Sequence, residues 1–533
     1  MTTYATNNPV GSTDPRDLYD NSENLDHLSL DQQNITWPDR LNQPRRTWHG
    51  LEVMVAQAAA TYGFIVLSGK SFTTGATVNL NEILLNESTG EYYQWTGSFP
   101  EGGKIVPPSS SPASTGGEGP GAWLSVGNAA LKAMLAASTG FSLIGQCPSV
   151  TVLRTIEPLT NGQRILLREY NAGTGYGGGQ LRAVIDGSSY TDNGVTVFKT
   201  TGGAAWIRVN ADVITSFMAG TVPDNGVTDN TAAINRFLQA GKNLMMGDGS
   251  FGHSGQIVLR TGISLNLSGA TLKPSSTLLT AAWRGDSLTD VKITGGIFEG
   301  TGLDNTTGNG QLLLLVSCQR CIVDRTTLTK SPNDGLRFIS CTRCIASNVI
   351  SYNNLSVGIQ DRDGDYNTII GSKCSGNGNT GTATSTGGRG ILTWRSIGTK
   401  IIACDAFNNT EYNIRAYSQA GDSRGSSQIL ISDPHVGDAG KIDIYVYNEI
   451  GSLAEILISN PMIRRTTQPE GAMIALQGTR VSCNGGSLVK SGDRLTVPCF
   501  SLFQTDSAAV RGVTIGNVGQ LFSFSSANNS LIT

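Results

Sequence analysis

A ten-residue segment of this chain returns 23 positions later with six identities. LLLVSCQRCI at 313–322 aligns with LRFISCTRCI at 336–345, keeping Leu, Ser, Cys, Arg, Cys and Ile. Looser copies follow in GIQDRDGDYNTIIGSKCSGN, GILTWRSIGTKIIACDAFNN, NIRAYSQAGDSRGSSQILISDP, KIDIYVYNEIGSLAEILISNP and MIALQGTRVSCNGGSLVKSG. Each copy holds two short β-branched runs parted by Gly, Asn, Ser or Asp, and occupies about 22 to 32 residues.

One such unit cannot bury an apolar face alone. Stacked ~4.8 Å apart, successive units share a continuous interior, with side chains alternating inward and outward along each strand. The repeat therefore predicts a parallel β-helix. A β-propeller would need four-stranded blades of about 40 residues, longer than these units. Asn353, Asn354, Asn408 and Asn409 fall at the turns, where Asn tolerates left-handed backbone. Upstream, residues 211–241 read as strand, loop and helix. Asp229 or Asn230 can cap that helix, and Ile234, Phe237 and Leu238 share one of its faces. Such a helix plugs the first coil, which would otherwise leave strand edges and apolar core bare.

Composition points the same way. Gly supplies 66 of 533 residues, about 12 %, and only 15 % of the chain is charged, as suits a turn-rich β protein. A chain of this length exceeds one ordinary core, so two to four structural units are expected. Disorder is excluded by 38 % hydrophobic residues at a net charge of −3. That charge, with Arg45 and Arg46 as the densest basic spot, also argues against nucleic-acid binding. No apolar run reaches 18 residues, so no membrane insertion is expected. The N-terminus shows no basic then apolar leader, so synthesis in a cytosol is expected. Its nine cysteines are then expected to be reduced and buried.

The N-terminal part has a different character. Residues 1–50 read as polar, turn-rich and irregular, and 51–61 as a short amphipathic helix. A strand at GFIVL and a hairpin over ILLNESTGEYYQWTG follow, closed by PPSSSPASTGGEGPG. Residues 128–140 predict a second helix, and 150–209 four or five short strands, with LRAVID and VTVFKT flanking a hairpin loop.

NPVGSTDPRDLYDNSENLD, TWPDRLNQPRRTWHGLE and the stretch 92–127 resemble, in order, the virion-anchoring domains of podovirus-type tailspikes. Residues 150–209 are similar to the small connector domain of such spikes, and PDNGVTDNTAAINRFL resembles the opening of pectate-lyase-like β-helix domains. The resemblance implies an all-β protein: a right-handed parallel β-helix shaft with small N-terminal anchor and connector domains, assembled as a homotrimer. It divides the chain into an anchor over 1–127, a neck helix and β connector over 128–210, and a capping helix, β-helix and short C-terminal region over 211–533. It implies a place in a phage tail. There the N-terminus would hold phage tail or portal proteins, and the shaft would meet a bacterial surface polysaccharide outside the cell.

Three apparent motifs yield to plainer readings. Cys318-x2-Cys321 and Cys341-x2-Cys344 have zinc-ribbon spacing. Cys321, Cys344, Cys374 and Cys404, however, lie 23, 30 and 30 apart, and read as one ladder of inward positions, with Cys318 and Cys341 as a second. The GxGxxG at 173–178 precedes a strand rather than a helix, so it reads as a turn. Asp361-x-Asp363-Gly364-Asp365 has its glycine at the fourth position, not the sixth an EF-hand needs. No metal and no cofactor are expected.

Those acidic residues are nonetheless the best chemical candidates. Glycoside hydrolysis needs two carboxyl groups, one to protonate the leaving oxygen and one to activate water or attack carbon. Aligning Leu336, Ile359, Ile391 and Ile414 puts Arg337, Gln360, Leu392 and Arg415 at equivalent outward positions. Two residues on stand Ile339 (its phase shifted by a turn), Arg362, Trp394 and Tyr417. The candidate catalytic residues are Asp334, Asp361, Asp363 and Glu411, and the candidate substrate-binding residues Arg337, Arg362, Trp394, Arg395, Arg415 and Tyr417. Aromatic faces stack on sugar rings, and arginines hold hydroxyls or uronates. An endoglycosidase fits better than a lyase: a lyase base would fall to Arg395, Arg415 or Tyr417, since His253 and His435 show no partner in the sequence. A serine esterase lacks its GxSxG elbow. A spike that binds without cutting, or a purely structural adaptor, remain the alternatives. The acidic and aromatic face favours a glycan role over the adaptor.

Overall fold

The computed structural model describes residues 3–51, 53–54, 64–126, 147–278, 280–302, 310–378, 387–449, 455–525, 527 and 530–533. The helix expected over 51–61 falls mostly outside these residues, and the one over 128–140 wholly outside. The chain divides into two compact units, Met1–Gly145 and Gln146–Thr533.

In the first unit, residues 1–50 are more ordered than their polarity predicts. A 16-residue helix spans Pro15–Leu30, started by Asp14, whose carboxylate accepts the Arg16 N–H, with proline in the first turn. Its buried face is polar, Asp17, Asp20 and Asn24, and Arg40 pairs with Asp17 at 3.0 Å. No apolar periodicity was there to announce it. The expected hairpin forms between Glu82–Asn86 and Glu91–Trp95, within a four-stranded sheet whose core holds Phe72, Leu84, Tyr93 and Trp123.

The second unit opens with a four-stranded antiparallel sheet. LRAVID and VTVFKT do not flank a hairpin. Ala205–Arg208 lies between Gly177–Val184 and Val197–Lys199 and pairs with both, so that Phe198 and Trp206 meet Leu167 and Leu181 in one core. The glycine-rich turn before Gly177 closes on a carboxylate of the chain itself. Glu169 accepts the N–H groups of Gly173 at 2.9 Å and Gly175 at 2.5 Å, and these bonds hold its pKa down to about 2.

From Ile214–Thr215 onward the chain winds into three parallel sheets of 13, 11 and 11 strands, a parallel β-helix. The helix Thr231–Gln239 seals its start, burying Ile234, Phe237 and Leu238. Asp229 provides the cap, its Oδ1 accepting the Thr231 N–H at 3.0 Å, while Asn230 bonds back to Val222 and Gly252. The repeat is reproduced strand for strand, Leu313 opposite Leu336 and Ile322 opposite Ile345. Thr514–Gly516, Val518–Ser525 and Leu531–Ile532 add one more coil, the extra coil the C-terminal sequence suggested. Among the described residues no helix is long and apolar enough to cross a membrane.

All nine cysteines are buried as free thiols, yet they do not form the ladder their spacing suggested. Ile345 pairs with Thr368 and Thr368 with Lys400, so the positions above Cys321 and Cys344 are Asn367 and Thr399. Cys374 stands in a different sheet, stacked between Ser351 and Ala406. Cys404 lies past the end of Lys400–Ile402, at a corner. Coil length varies, so equal spacing does not mean equal position. Cys318 and Cys341 are stacked as expected, because Val316 pairs with Ile339 two residues earlier. Among the described residues, no three His, Cys, Asp or Glu side chains form a group that could hold a metal ion.

The turn asparagines divide into two kinds. Asn353 and Asn408 take left-handed backbone, φ +54° and +56°. Asn354 and Asn409 instead point inward and join a buried polar spine. Asn354 Nδ2 donates to Asn377 Oδ1 at 2.9 Å, Asn377 Nδ2 to Asn409 Oδ1 at 2.9 Å, and Asn409 Nδ2 to Asn413 Oδ1 at 2.8 Å. Asn413 then donates to Asp443, whose other oxygen takes Arg465 at 2.6 Å, both side chains fully buried. Arg465→Met should leave Asp443 stranded and cost about 3–5 kcal/mol, read as accelerated thermal unfolding, with Asp443→Leu in the same chain restoring most of the loss. Equal instability of the single and double variants would refute that role for the pair.

Candidate functional site

One of the 11-stranded sheets carries the face picked out by sequence. Its strands Leu336–Ile339, Val357–Arg362, Arg389–Trp394, Tyr412–Ser418 and Ile442–Asn448 pair in the predicted register. One outward column runs Arg337, Gln360, Leu392, Arg415, Tyr445. The next runs Ile339, Arg362, Trp394, Tyr417, Tyr447, and Ile339 sits directly beside Arg362 without the expected phase shift.

Between these columns lies a cleft of about 310 Å³ whose lining includes Arg337, Gln360, Arg389, Leu392, Trp394, Arg415, Tyr417 and Gln419. Four of the six predicted binding residues line it: Arg337, Trp394, Arg415 and Tyr417. The other two brace it, the guanidinium of Arg362 lying 4.5 Å from the centre of the Trp394 ring and that of Arg395 5.0 Å. Aromatic rings repeat from coil to coil, Tyr417 over Tyr447 at 5.5 Å and Tyr412 over Tyr445 at 5.1 Å. Arg415 lies among them, 3.8 Å from the Tyr417 centroid and 4.7 Å from that of Tyr412. Burial, then the neighbouring charge of Arg389, lowers the Arg415 pKa, and burial raises the Tyr445 phenol to about 12.

The carboxylates are placed differently from the sequence-based expectation. Asp361 is inside the shaft with no exposed surface. It follows Ile359 by two residues and shares its inward side, in the column of Phe338 and Thr393. Its oxygens take Asn367 Nδ2 at 2.9 Å and the Thr399 hydroxyl at 2.6 Å. Asp334 is equally buried, ion-paired to Arg337 and accepting the Val357 N–H at 3.0 Å, so it supports a cleft residue from beneath. Asp363 does reach the surface, because the backbone turns left-handed there at φ +54°. Arg395 grips it through two contacts of 2.7 Å. Glu411 bridges Arg389 and Lys441, each at 2.9 Å.

Two groups at the cleft went unseen in the sequence. Arg389 begins its strand at a place the alignment did not reach. Asp422 comes from the loop after Tyr412–Ser418 and accepts Trp394 Nε1 at 3.0 Å and the Gln419 N–H at 2.8 Å. Tyr445 and Tyr447 would have emerged by carrying the alignment one coil further. Neither shaft histidine reaches the cleft: His253 is buried against the Gly255 carbonyl, and His435, partnerless in sequence terms, stands 3.6 Å from Asp405 on another sheet.

Three family models match successive parts of the chain. Residues 59–128 match the tail spike TSP1/Gp66 receptor binding N-terminal domain, 146–211 the phage tail protein small four-stranded β-sheet domain, and 305–488 the right-handed β-helix region. Two domains described from phage tail proteins thus precede a right-handed β-helix along this chain. The fold is that of the full-length tailspike protein 2 from an Escherichia coli O157:H7 bacteriophage, with a TM-score of 0.53, 19 % identity, 89 % of this chain covered and 62 % of that one. Among curated proteins, the chain is similar to a capsule KL64-specific depolymerase of Klebsiella phage P510, 31 % identical over 140 residues, 26 % of this chain and 13 % of the relative. It is also similar to a Mu-like prophage defective tail fiber protein of Haemophilus influenzae, 38 % identical over 102 residues, 19 % of this chain and 16 % of the relative. The chain thus spans less than a fifth of either curated relative.

The place of Asp361 has a titration consequence. Burial raises its carboxyl pKa against the opposing hydrogen bonds of Thr399 and Asn367. The fold favours the neutral acid, so its contribution is full below the unfolded pKa of ~3.9 and is lost as pH rises through the folded value. Asp361→Asn, which stays neutral, should therefore gain stability relative to wild type between pH ~4 and pH ~7, measured by denaturant unfolding at both. A stability difference that ignores pH would mean that Asp361 does not titrate inside the shaft.

Proposed function

We propose that this chain is a virion-borne spike that binds and cuts a bacterial surface polysaccharide through the cleft on its β-helix. In this reading residues 1–127 fasten it to a phage tail, residues 128–210 connect anchor to shaft, and three copies assemble together. The observation that carries it is the cleft itself: aromatic faces from successive coils, with arginines between them, on the rigid outer wall of a shaft. Stacking aromatics and hydroxyl-binding cations are what sugar rings require. The capsule depolymerase of Klebsiella phage P510 supports a polysaccharide substrate.

The reaction that fits is hydrolysis. Glu411, bonded to the cleft residue Arg389, and Asp422, bonded to the cleft residue Trp394, are the two carboxylates we assign to acid and base work, in place of the buried Asp334 and Asp361. Asp363 stays a brace for Arg395.

Incubation with the polysaccharide of the phage's host should release reducing ends without the ultraviolet absorbance of unsaturated uronates. Glu411→Gln and Asp422→Asn should each slow release about 10²- to 10⁴-fold while adsorption persists. Saturable adsorption with no new reducing ends would leave a binding spike and overturn the enzymatic half. Absorbance appearing with cleavage would replace hydrolysis by elimination.

A further inference from the structure

The arginines of this face differ in one respect that bears on what the cleft binds. Arg337, Arg362, Arg389 and Arg395 each pair with a carboxylate. Arg415, at the centre, has no ion pair and no hydrogen bond to its guanidinium among the described residues. Tyrosine rings at 3.8, 4.7 and 5.3 Å hold it in place without neutralising it. Two coils back in the same column, Gln360 is only 3 % exposed, and its Oε1 is a buried acceptor with no partner among the described residues. Both side chains line the same cleft. A half-buried cation with no counter-charge among the described residues, beside a buried amide oxygen with no donor, is costly unless a ligand supplies the missing partners.

We propose that the cleft takes a carboxylate-bearing sugar, a uronic acid or a pyruvate-acetal sugar, whose carboxylate pairs with Arg415 while a hydroxyl donates to Gln360 Oε1. This rests on the polysaccharide reading above and names the class of residue within it. Among the described residues Arg415 is the one cleft-lining arginine without a carboxylate partner, which suits a monoanion better than a dianionic phosphate. The planar guanidinium also matches a carboxylate's two oxygens. Leu392, between Gln360 and Arg415 in the column, offers the apolar floor over which a sugar ring can lie.

Two arms test it. In the first, methyl glucuronide and methyl glucoside are titrated into the full chain while tryptophan fluorescence is followed, with Trp394→Phe identifying the signal from the cleft. The glucuronide should respond, and salt should weaken it. Arg415→Gln should lower its affinity about tenfold to a hundredfold, and Arg415→Lys should recover part of the loss. Equal responses to both glycosides, or to neither, overturn the proposal.

In the second arm, host polysaccharide is used native, after mild acid removal of pyruvate, and after chemical reduction of its carboxyl groups. Cleavage should fall with carboxyl reduction, and Arg415→Gln should add no further loss on the reduced polymer. Loss after mild acid treatment alone marks the pyruvate acetal as the source. Unaltered cleavage of the reduced polymer refutes the acidic-sugar assignment while leaving depolymerisation intact. No cleavage of any form, with the glucuronide response retained, removes depolymerisation and leaves the acidic subsite standing.

Discussion

The cleft-bearing part of the shaft hangs on a hydrogen-bonded file of side chains that faces the other way. Asn354, Asn377 and Asn409 each receive the backbone N–H of the preceding coil or its asparagine amide, so that each coil is tied to the next by a bond with one correct partner. Apolar stacking alone is permissive: Ile, Val or Cys can slide past one another at little loss. A buried amide displaced by one residue loses its partner and must be desolvated unpaired, which costs about 1–3 kcal/mol at each site. The spine therefore discriminates against slipped registers. A slip by one residue would also turn every outward side chain inward, sending Arg415 and Trp394 into the core. The cleft is a by-product of register, and the spine holds the register.

This explains how much of the site could be read in advance. Columns of side chains follow from a repeat, and the repeat was visible in LLLVSCQRCI and LRFISCTRCI. Arg337, Arg362, Trp394, Arg415 and Tyr417 were found because alternation and register are rules of the strand itself. The same rule, followed strictly from Ile359, puts Asp361 inside, and only its acidity had argued for the surface. Asp363 escapes because the chain leaves the strand at that residue. Asp422 obeys no such rule. It belongs to a loop whose path depends on the coil beneath, and nothing in AYSQAGDSRGSS marks its one acidic residue as a partner for an indole.

The misreadings elsewhere have the same physical origin. Cysteine spacings of 30 looked like coil lengths, but the pairing of Ile345 with Thr368 and of Thr368 with Lys400 makes neighbouring coils 23 and 32 residues long. Extra residues are accommodated between strands, so only local pairing reveals which positions are equivalent. The helix Pro15–Leu30 was missed because its packed face is acidic and amide-rich, held by Arg40 rather than by an apolar stripe. Its signal was the Asp14–Pro15 start, a capping cue legible only when polarity is not taken as irregularity.

Stacking also decides the direction in which a long ligand can lie. Neighbouring strands in such a sheet are ~4.8 Å apart, and the aromatic centroids of Trp394, Tyr417 and Tyr447 succeed one another at 5.9 and 5.5 Å, one ring per coil. Along a strand, by contrast, outward residues alternate between two columns, Arg337, Gln360, Leu392 and Arg415 in one, Trp394, Tyr417 and Tyr447 in the other. A chain laid across the coils of Arg389–Trp394, Tyr412–Ser418 and Ile442–Asn448 thus meets a row of aromatic faces, Trp394, Tyr417 and Tyr447, on one flank and Arg415 on the other. The backbone that carries those groups is bonded on both sides by its neighbouring coils, so it has little freedom left to lose on binding. The solenoid turns a one-dimensional repeat in sequence into a one-dimensional row of contacts, and an extended polymer is the ligand geometry that such a row can hold along its length.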